Sequence, residues 1–256
     1  MLDGYAAVVT GAGSGIGAAV ARRFAAEGAL VTVSDIDEAA AEAVARSIDP
    51  SGTRTISVRC DVALVEDCAR LVAEAEHFFG GPIDVFMANA GISFAGDFLD
   101  ASPETLRRVV DVNVTGSILS AQAALRSLLR SQRASLVFTS SISAITARAK
   151  RSVYNASKHA LTGLVKSLAL EFGPRGVRVN AIAPGPTDTP FLRAHLAKVN
   201  PDAEAAVATL VAGLPLGHLI TPEDFADAAV FLVSPAARSV TGHTLLLDAG
   251  SSAGRM

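Results

Sequence analysis

The chain of 256 residues has no tryptophan, two tyrosines and two cysteines, and only 5% of it is aromatic. Half of the residues are hydrophobic, so Ala, Val and Leu have to build the core. Cys60 and Cys68 make neither a disulfide framework nor a metal-ligand pattern. Basic and acidic residues nearly balance, 22 against 25. No basic block stands out, which argues against nucleic acid as a partner. No apolar run approaches the ~18 residues of a membrane span. The opening Met1-Leu2-Asp3-Gly4-Tyr5 lacks a basic stretch followed by an apolar one. The expectation is a protein of a reducing compartment, taken as cytoplasmic, without a membrane partner. Linkers, low-complexity runs and internal repeats are absent too, so residues 1–256 read as a single domain.

What is present begins with a short apolar run at 5–9, which suits a strand buried on both faces. It leads straight into Thr10-Gly11-Ala12-Gly13-Ser14-Gly15-Ile16-Gly17, and then into a helical stretch at 18–26. Strand, glycine turn and helix together make a phosphate-binding unit. The glycines let the backbone approach a pyrophosphate, and the helix start offers free N–H groups at the positive end of its dipole. The spacing departs from G-x-G-x-x-G, because three residues separate Gly11 from Gly15. A second strand at 29–33 ends at Ser34-Asp35. Asp35 follows Gly17 by eighteen residues, close to the ~20 expected of the acid that binds an adenosine ribose. A carboxylate there repels a 2′-phosphate, and Ala12 and Ser14 sit where a welcoming cation would. Both features favour NAD over NADP. The plainer role, capping the helix at 38–48, fits Asp37 better and leaves Asp35 free for the ribose.

Further strands are expected at 53–59, 83–88, 135–139, 177–183 and 244–247, with helices at 65–79, 103–130 and 223–233 and one that carries Tyr154 to about 172. This alternation predicts an α/β fold, a doubly wound, Rossmann-like parallel sheet with helices on both faces. Right-handed crossovers then put Gly11, Asp35, Asp61, Asn89, Ser141 and Pro184 on one sheet edge, where such folds bind ligands. Tyr154 and Lys158 stand four apart in Tyr154-Asn155-Ala156-Ser157-Lys158, on one face of a helix. An ammonium beside a phenol lowers the phenol pKa from its usual ~10, which suits acid–base work.

These residues together resemble the short-chain dehydrogenase/reductase family in its compact form. Thr10 to Gly17 matches its T-G-x-x-x-G-x-G signature, Tyr154 and Lys158 its Y-x-x-x-K pair, Asn89 to Gly91 its N-A-G turn, and Pro184 to Thr189 its P-G-x-x-x-T stretch. The resemblance selects Ser141, thirteen residues before the tyrosine, over Ser140, and Asn113 on the long helix. It implies an NAD-dependent oxidoreductase acting on a secondary alcohol or its ketone. Tyr154 would be the general acid or base and Lys158 would lower its pKa and hold the nicotinamide ribose. Ser141 would bind the substrate oxygen, and Asn113 would hold a water that links Lys158 to solvent. Gly11, Ser14, Gly15 and Ile16 would line the pyrophosphate, Asp35 and Ile36 the adenosine ribose, and Asp61 and Val62 the adenine. Asn89, Ala90 and Gly91 would follow the ribose and phosphates, and Pro184, Gly185, Thr187 and Thr189 the carboxamide end. The alternatives are an NADP-dependent carbonyl reductase and a dinucleotide-binding sensor without turnover. Family members form dimers and tetramers, so a homotetramer or homodimer is implied.

Three departures from the family pattern are visible. Ala88 replaces the first Asn of N-N-A-G, expected to brace the sheet. Thr187 replaces an aliphatic residue, and Asp248-Ala249-Gly250 replaces D-G-G. The segment 189–217 is expected to be a substrate lid, with Phe191, Leu192, Leu196, Val199 and Leu214 as an apolar roof. Ser93, Phe94, Ser143 and Asn155 are further wall candidates. Arg148, Lys150 and Arg151 before the tyrosine, and Arg193 and His195 in the lid, either meet an anionic substrate group or are solvated surface charge.

Overall fold

All five residues of β1 (Ala6–Thr10), Ala-Ala-Val-Val-Thr, are buried. Their side chains alternate between two cores: Ala7 and Val9 face one, Val8 the other. In this computed structural model, which describes residues 1–199 and 202–254, β1 pairs in parallel with β2 (Leu30–Asp35) on one side and β4 (Val85–Ala88) on the other. With β3 (Thr55–Arg59), β5 (Ser135–Thr139), β6 (Arg178–Pro184) and β7 (Thr244–Leu247) they form a seven-stranded parallel sheet in the order β3-β2-β1-β4-β5-β6-β7. Strand order reverses between β1 and β4, which opens a crevice at their C-terminal ends.

Helices α1 (Gly15–Ala26), α2 (Glu38–Ile48) and α9 (Pro222–Val233) cover one face, with Phe24 and Phe225 fully buried. The other face is covered by α3 (Val65–Phe79), α5 (Gly116–Leu128) and α6 (Ser152–Phe172), around Phe86 and Phe138. The expected helix at 103–130 is α4 (Pro103–Val110) and α5 joined by a π turn over Asp111–Thr115. Gly116 closes that turn where α5 meets Val62: a Cβ on it would lie 2.7 Å from Val62 Cγ2. π turns inside helices are frequent at functional sites, and this one carries Asn113. The segment 189–217 contains two helices, α7 (Pro190–Val199) and α8 (Ala203–Ala212). Among the described residues no helix is long and apolar enough to cross a membrane.

Candidate active site

A cavity of about 430 Å³ runs along the C-terminal edge of the sheet. The glycine turn forms one end. Gly11 and Gly15 adopt φ of 62° and 52°, a conformation that glycine reaches without strain. A Cβ on Gly17 would lie 2.2 Å from the Gly11 carbonyl oxygen, so nothing larger fits there. The N-cap of α1, Ser14, makes no side-chain capping bond, and its first turn holds no acid. By contrast Asp37, Ser102, Asp202 and Thr221 cap α2, α4, α8 and α9. The N–H groups that open α1 therefore lack a side-chain partner beside the cavity, a donor set that suits a pyrophosphate.

Asp35 lines the cavity next to this turn. It is more engaged than expected: Oδ2 accepts from Gly13 N at 2.9 Å and Oδ1 from Asp37 N at 3.0 Å. A carboxylate has about four acceptor positions, so two remain open on Asp35. Asp37 caps α2 as expected, accepting from Ala40 N. At the far end of this half, Asp61 and Val62 line the wall, and Arg108 donates to Asp61 Oδ2 at 3.3 Å.

Asn89 has a structural part that sequence reasoning had given to the position of Ala88. Its Nδ2 donates to the carbonyls of Thr10 (2.9 Å) and Gly11 (3.0 Å), and its Oδ1 accepts from Thr139 Oγ1 (2.9 Å). It thus ties the ends of β1, β4 and β5 together, so Ala88 costs the sheet no brace. Ala90 and Gly91 follow along the cavity wall, as do Pro184, Gly185, Thr187 and Thr189 opposite. Thr187 donates to the Gly185 carbonyl at 3.1 Å, and Thr189 Oγ1 to the Thr187 carbonyl at 3.2 Å.

The catalytic candidates converge in the middle. α6 carries Tyr154 and Lys158 on its buried face, with Lys158 Nζ 5.8 Å from the Tyr154 ring centroid. Lys158 donates to the Thr139 carbonyl at 2.9 Å. Burial pushes its pKa down to about 8. Ser141, just past β5, is fixed by the Ser143 N–H, which its Oγ accepts at 3.1 Å. Burial raises the Tyr154 pKa, and the hydrogen bond with Ser141 and the Arg151 charge oppose it. Lys158, expected to lower it, is not among the groups that oppose burial. Desolvation of the enclosed ring outweighs the favourable partners, and those partners are Ser141 and Arg151.

Asn113 has a structural part beyond the expected one. Its amide is committed to protein: Oδ1 accepts from Ile92 N (2.8 Å), and Nδ2 donates to the Ile92 carbonyl (2.9 Å) and to Ser157 Oγ (3.1 Å). The side chain therefore clamps the turn after Gly91, and both Nδ2 donors and one of the two Oδ1 acceptor positions are taken up by protein. A Cβ on Gly91 would meet both Asn113 Oδ1 (3.3 Å) and Lys158 Nζ (3.6 Å), so this clamp sits beside the ammonium.

At the substrate end Ser143, Phe191, Leu192 and Leu196 line the cavity, joined by Ile142, Pro186 and Leu210, which sequence reasoning missed. Phe191 packs at 6.3 Å, tilted, against the Tyr154 ring. Leu214 is no roof residue: it is buried with Ile220 and Ala249 in a separate cluster. Arg193 pairs with Asp188 through Nε and Nη2 at 2.9 and 3.0 Å, and it does not line the cavity. The side chains of His195 and Val199 lie outside the described residues. Of the loop cations, Arg148 and Arg151 line the cavity and Lys150 does not. Phe94 packs behind Tyr154 with Val109. Ser93 accepts from Arg151. Asn155 holds the Arg148 carbonyl through Nδ2 at 3.0 Å instead of forming the wall.

A family model described as enoyl-(acyl carrier protein) reductase matches residues 11–252. A solved short-chain type dehydrogenase/reductase from Mycobacterium marinum superimposes with a TM-score of 0.89 at 32% identity, over 99% of this chain and 97% of that one. This chain belongs to the short-chain dehydrogenase/reductase family. The cis-4-hydroxycyclohexanecarboxylate dehydrogenase of Sinomonas cyclohexanicum is 40% identical over 96% of each chain. The 3-ketoacyl-(acyl-carrier-protein) reductase of Brucella melitensis, solved with NADH, aligns at a TM-score of 0.87 and 33% identity, over 98% of this chain and all of that one.

As a short-chain dehydrogenase/reductase, the chain has the fold that binds a nicotinamide dinucleotide. Every residue expected to touch the cofactor lines the one cavity. Of the catalytic candidates only Asn113 stands behind the wall. The family's closing glycine pair is altered at a physical cost, because Ala249 adopts φ 52°. That left-handed conformation costs an alanine on the order of 1–2 kcal/mol.

Proposed function

We propose that the protein is an NAD-dependent dehydrogenase that oxidises a ring-borne secondary alcohol to the ketone, or runs the reverse reduction. The observation that carries this reading is the convergence of Tyr154, Ser141 and Lys158 on one cavity that continues past Asp35. When bound, the nicotinamide accepts or supplies the hydride. The chain's own residues do the rest. The α1 turn binds the pyrophosphate, and the two acceptor positions left on Asp35 bind the adenosine ribose. Ser141, oriented by the Ser143 N–H, donates to the substrate oxygen where negative charge develops. Tyr154 Oη takes the hydroxyl proton in oxidation and returns one in reduction. Lys158, held by the Thr139 carbonyl, keeps a positive charge beside the phenolate. Asn113 keeps the Gly91–Ile92 turn against the ammonium. Phe191, Leu192, Leu196 and Leu210 form an apolar lid from 189–217 within one domain, and this apolar end suits an alicyclic skeleton.

The two directions of the reaction need opposite protonation states of Tyr154. Oxidation needs the phenolate, and burial raises the phenol pKa, so kcat/KM for oxidation rises with pH from about 6 to 8, the range in which Lys158 keeps its charge. Reduction needs the phenol, so its kcat/KM is level near neutrality and falls at alkaline pH. Rate profiles in both directions check this. Parallel profiles, or oxidation that falls with pH, would contradict it. A panel of cyclic, linear and primary alcohols with NAD tests the substrate class, and the reading requires the cyclic secondary members to turn over best.

The second element of the proposal is assembly. The helices around the site keep apolar residues in solvent: Val110, Ile118 and Leu170 are exposed, Leu170 by 80%. A helix apolar on a second side has a second surface to cover. The α5 and α6 faces are proposed to pair with another subunit, as a homodimer or homotetramer. Light scattering at micromolar concentration should give at least twice the monomer mass, and a stable monomer would contradict it.

A further inference from the structure

Arg151 is a cavity cation that the acid–base chemistry does not use. It lines the cavity between the loop and α6, and its guanidinium lies 4.5 Å over the ring of Tyr154. Among the described residues no carboxylate lies within ion-pair distance of it, whereas Arg108 and Arg193 have theirs in Asp61 and Asp188. Its Nε is buried with no hydrogen-bond partner. The one side-chain bond it makes, from Nη2 to Ser93 Oγ, is long at 3.4 Å. A guanidinium carries five donors and stays charged, and leaving such a group desolvated and unpaired is costly.

The loop is built to keep it there. Asn155 Nδ2 holds the Arg148 carbonyl at 3.0 Å, Gly96 N the Lys150 carbonyl at 3.0 Å, and Asn155 N the Arg151 carbonyl at 2.8 Å. Lys150 is fixed at φ 61°, a strained conformation for a lysine that persists only when its surroundings impose it. Arg148 lines the same end of the cavity. The two acids of the cavity wall, Asp35 and Asp61, belong to its nucleotide-binding half.

We propose that Arg151 is the receptor for a carboxylate on the substrate, so that the enzyme takes hydroxy acids of an alicyclic skeleton in preference to neutral alcohols. This rests on the dehydrogenase reading of the cavity. The planar fork matches a carboxylate through two parallel bonds, and it occupies donors that protein leaves empty. Because the guanidinium lies over the Tyr154 ring and not beyond its hydroxyl, the carboxylate is set off from the carbinol carbon. Arg151 is then a specificity residue that touches substrate, and its stacking on Tyr154 holds that contact in register with the reacting oxygen.

The test compares 4-hydroxycyclohexanecarboxylate with its methyl ester, in wild type, Arg151→Gln and Arg151→Lys. Wild type should favour the acid in kcat/KM by roughly 10- to 100-fold, the range of a charge-assisted bond. Arg151→Gln should erase that preference and Arg151→Lys keep part of it. An equal loss on acid and ester in Arg151→Gln would overturn the proposal, because Arg151 would then act only through Tyr154. So would a wild type that does not discriminate. Calorimetric binding of cyclohexanecarboxylate and cyclohexanecarboxamide to the NADH-loaded protein separates this from the underlying reading. Arg151-dependent preference for the carboxylate, without turnover of any alcohol, supports the receptor while the dehydrogenase reading fails. Equal binding of the two overturns the receptor.

Discussion

Tyr154→Phe is expected to cut kcat by about a thousandfold or more while cofactor binding survives. Proton transfer by a positioned side chain contributes typically 10²–10⁴-fold, and the phenol oxygen is the proposed acid–base atom. The substitution removes only that oxygen. The ring keeps its contact with Phe191 and its place under the Arg151 guanidinium. It also keeps Phe94 and Val109 behind it. Neither Asp35 nor the α1 turn is touched, so NADH titration should give a Kd within about threefold of wild type. A melting temperature measured beside it shows whether the fold is retained. If Tyr154→Phe turns over at a tenth of the wild-type rate or better, another group moves the proton and the assignment fails.

The second large effect concerns the choice between NAD and NADP. Asp35→Asn keeps one acceptor oxygen but removes the charge that repels a 2′-phosphate. Losing a charge-assisted bond to the ribose costs about 1.5–3 kcal/mol, so kcat/KM with NAD should fall roughly 10- to 100-fold. NADP should gain little from this change alone, since the wall cation Arg108 is engaged by Asp61. Adding Ile36→Arg supplies the missing charge at a position that is half exposed and lines the cavity. The double variant should then prefer NADP. Matched titrations of both cofactors check this, with a stability control, because Asp35 also holds the N–H groups of Gly13 and Asp37. Unchanged preference in both variants would place the discrimination elsewhere.

The sheet and most of the cavity wall were legible because the physics behind them is local. Unbroken apolar runs such as 5–9 have to be buried on both faces. A four-residue spacing puts Tyr154 above Lys158. A glycine cluster between strand and helix has few other uses. What escaped depends on contacts distant in sequence. Asn89 braces three strands because Thr10 and Thr139 happen to flank it, 79 and 50 residues away. The enclosure of Tyr154 by neighbouring elements, which raises its pKa, is likewise invisible in five residues. Among three cations at 148–151 the sequence offers no way to choose. The fold pins three loop carbonyls, leaves Lys150 outside the cavity and half-buries Arg151 against the Tyr154 ring. The π turn at Asn113 likewise leaves no periodic trace, since one extra residue in a turn barely shifts a hydrophobic stripe.

The most direct measurement follows a label. The protein would be incubated with NAD and a ring-borne secondary alcohol carrying deuterium on the carbinol carbon, and the reduced cofactor then examined by mass spectrometry. The account predicts NADH with one deuterium, formed in step with the ketone, and its loss in Tyr154→Phe. Ketone formed without label in the cofactor, or NADPH made from NADP faster than NADH from NAD, would contradict it.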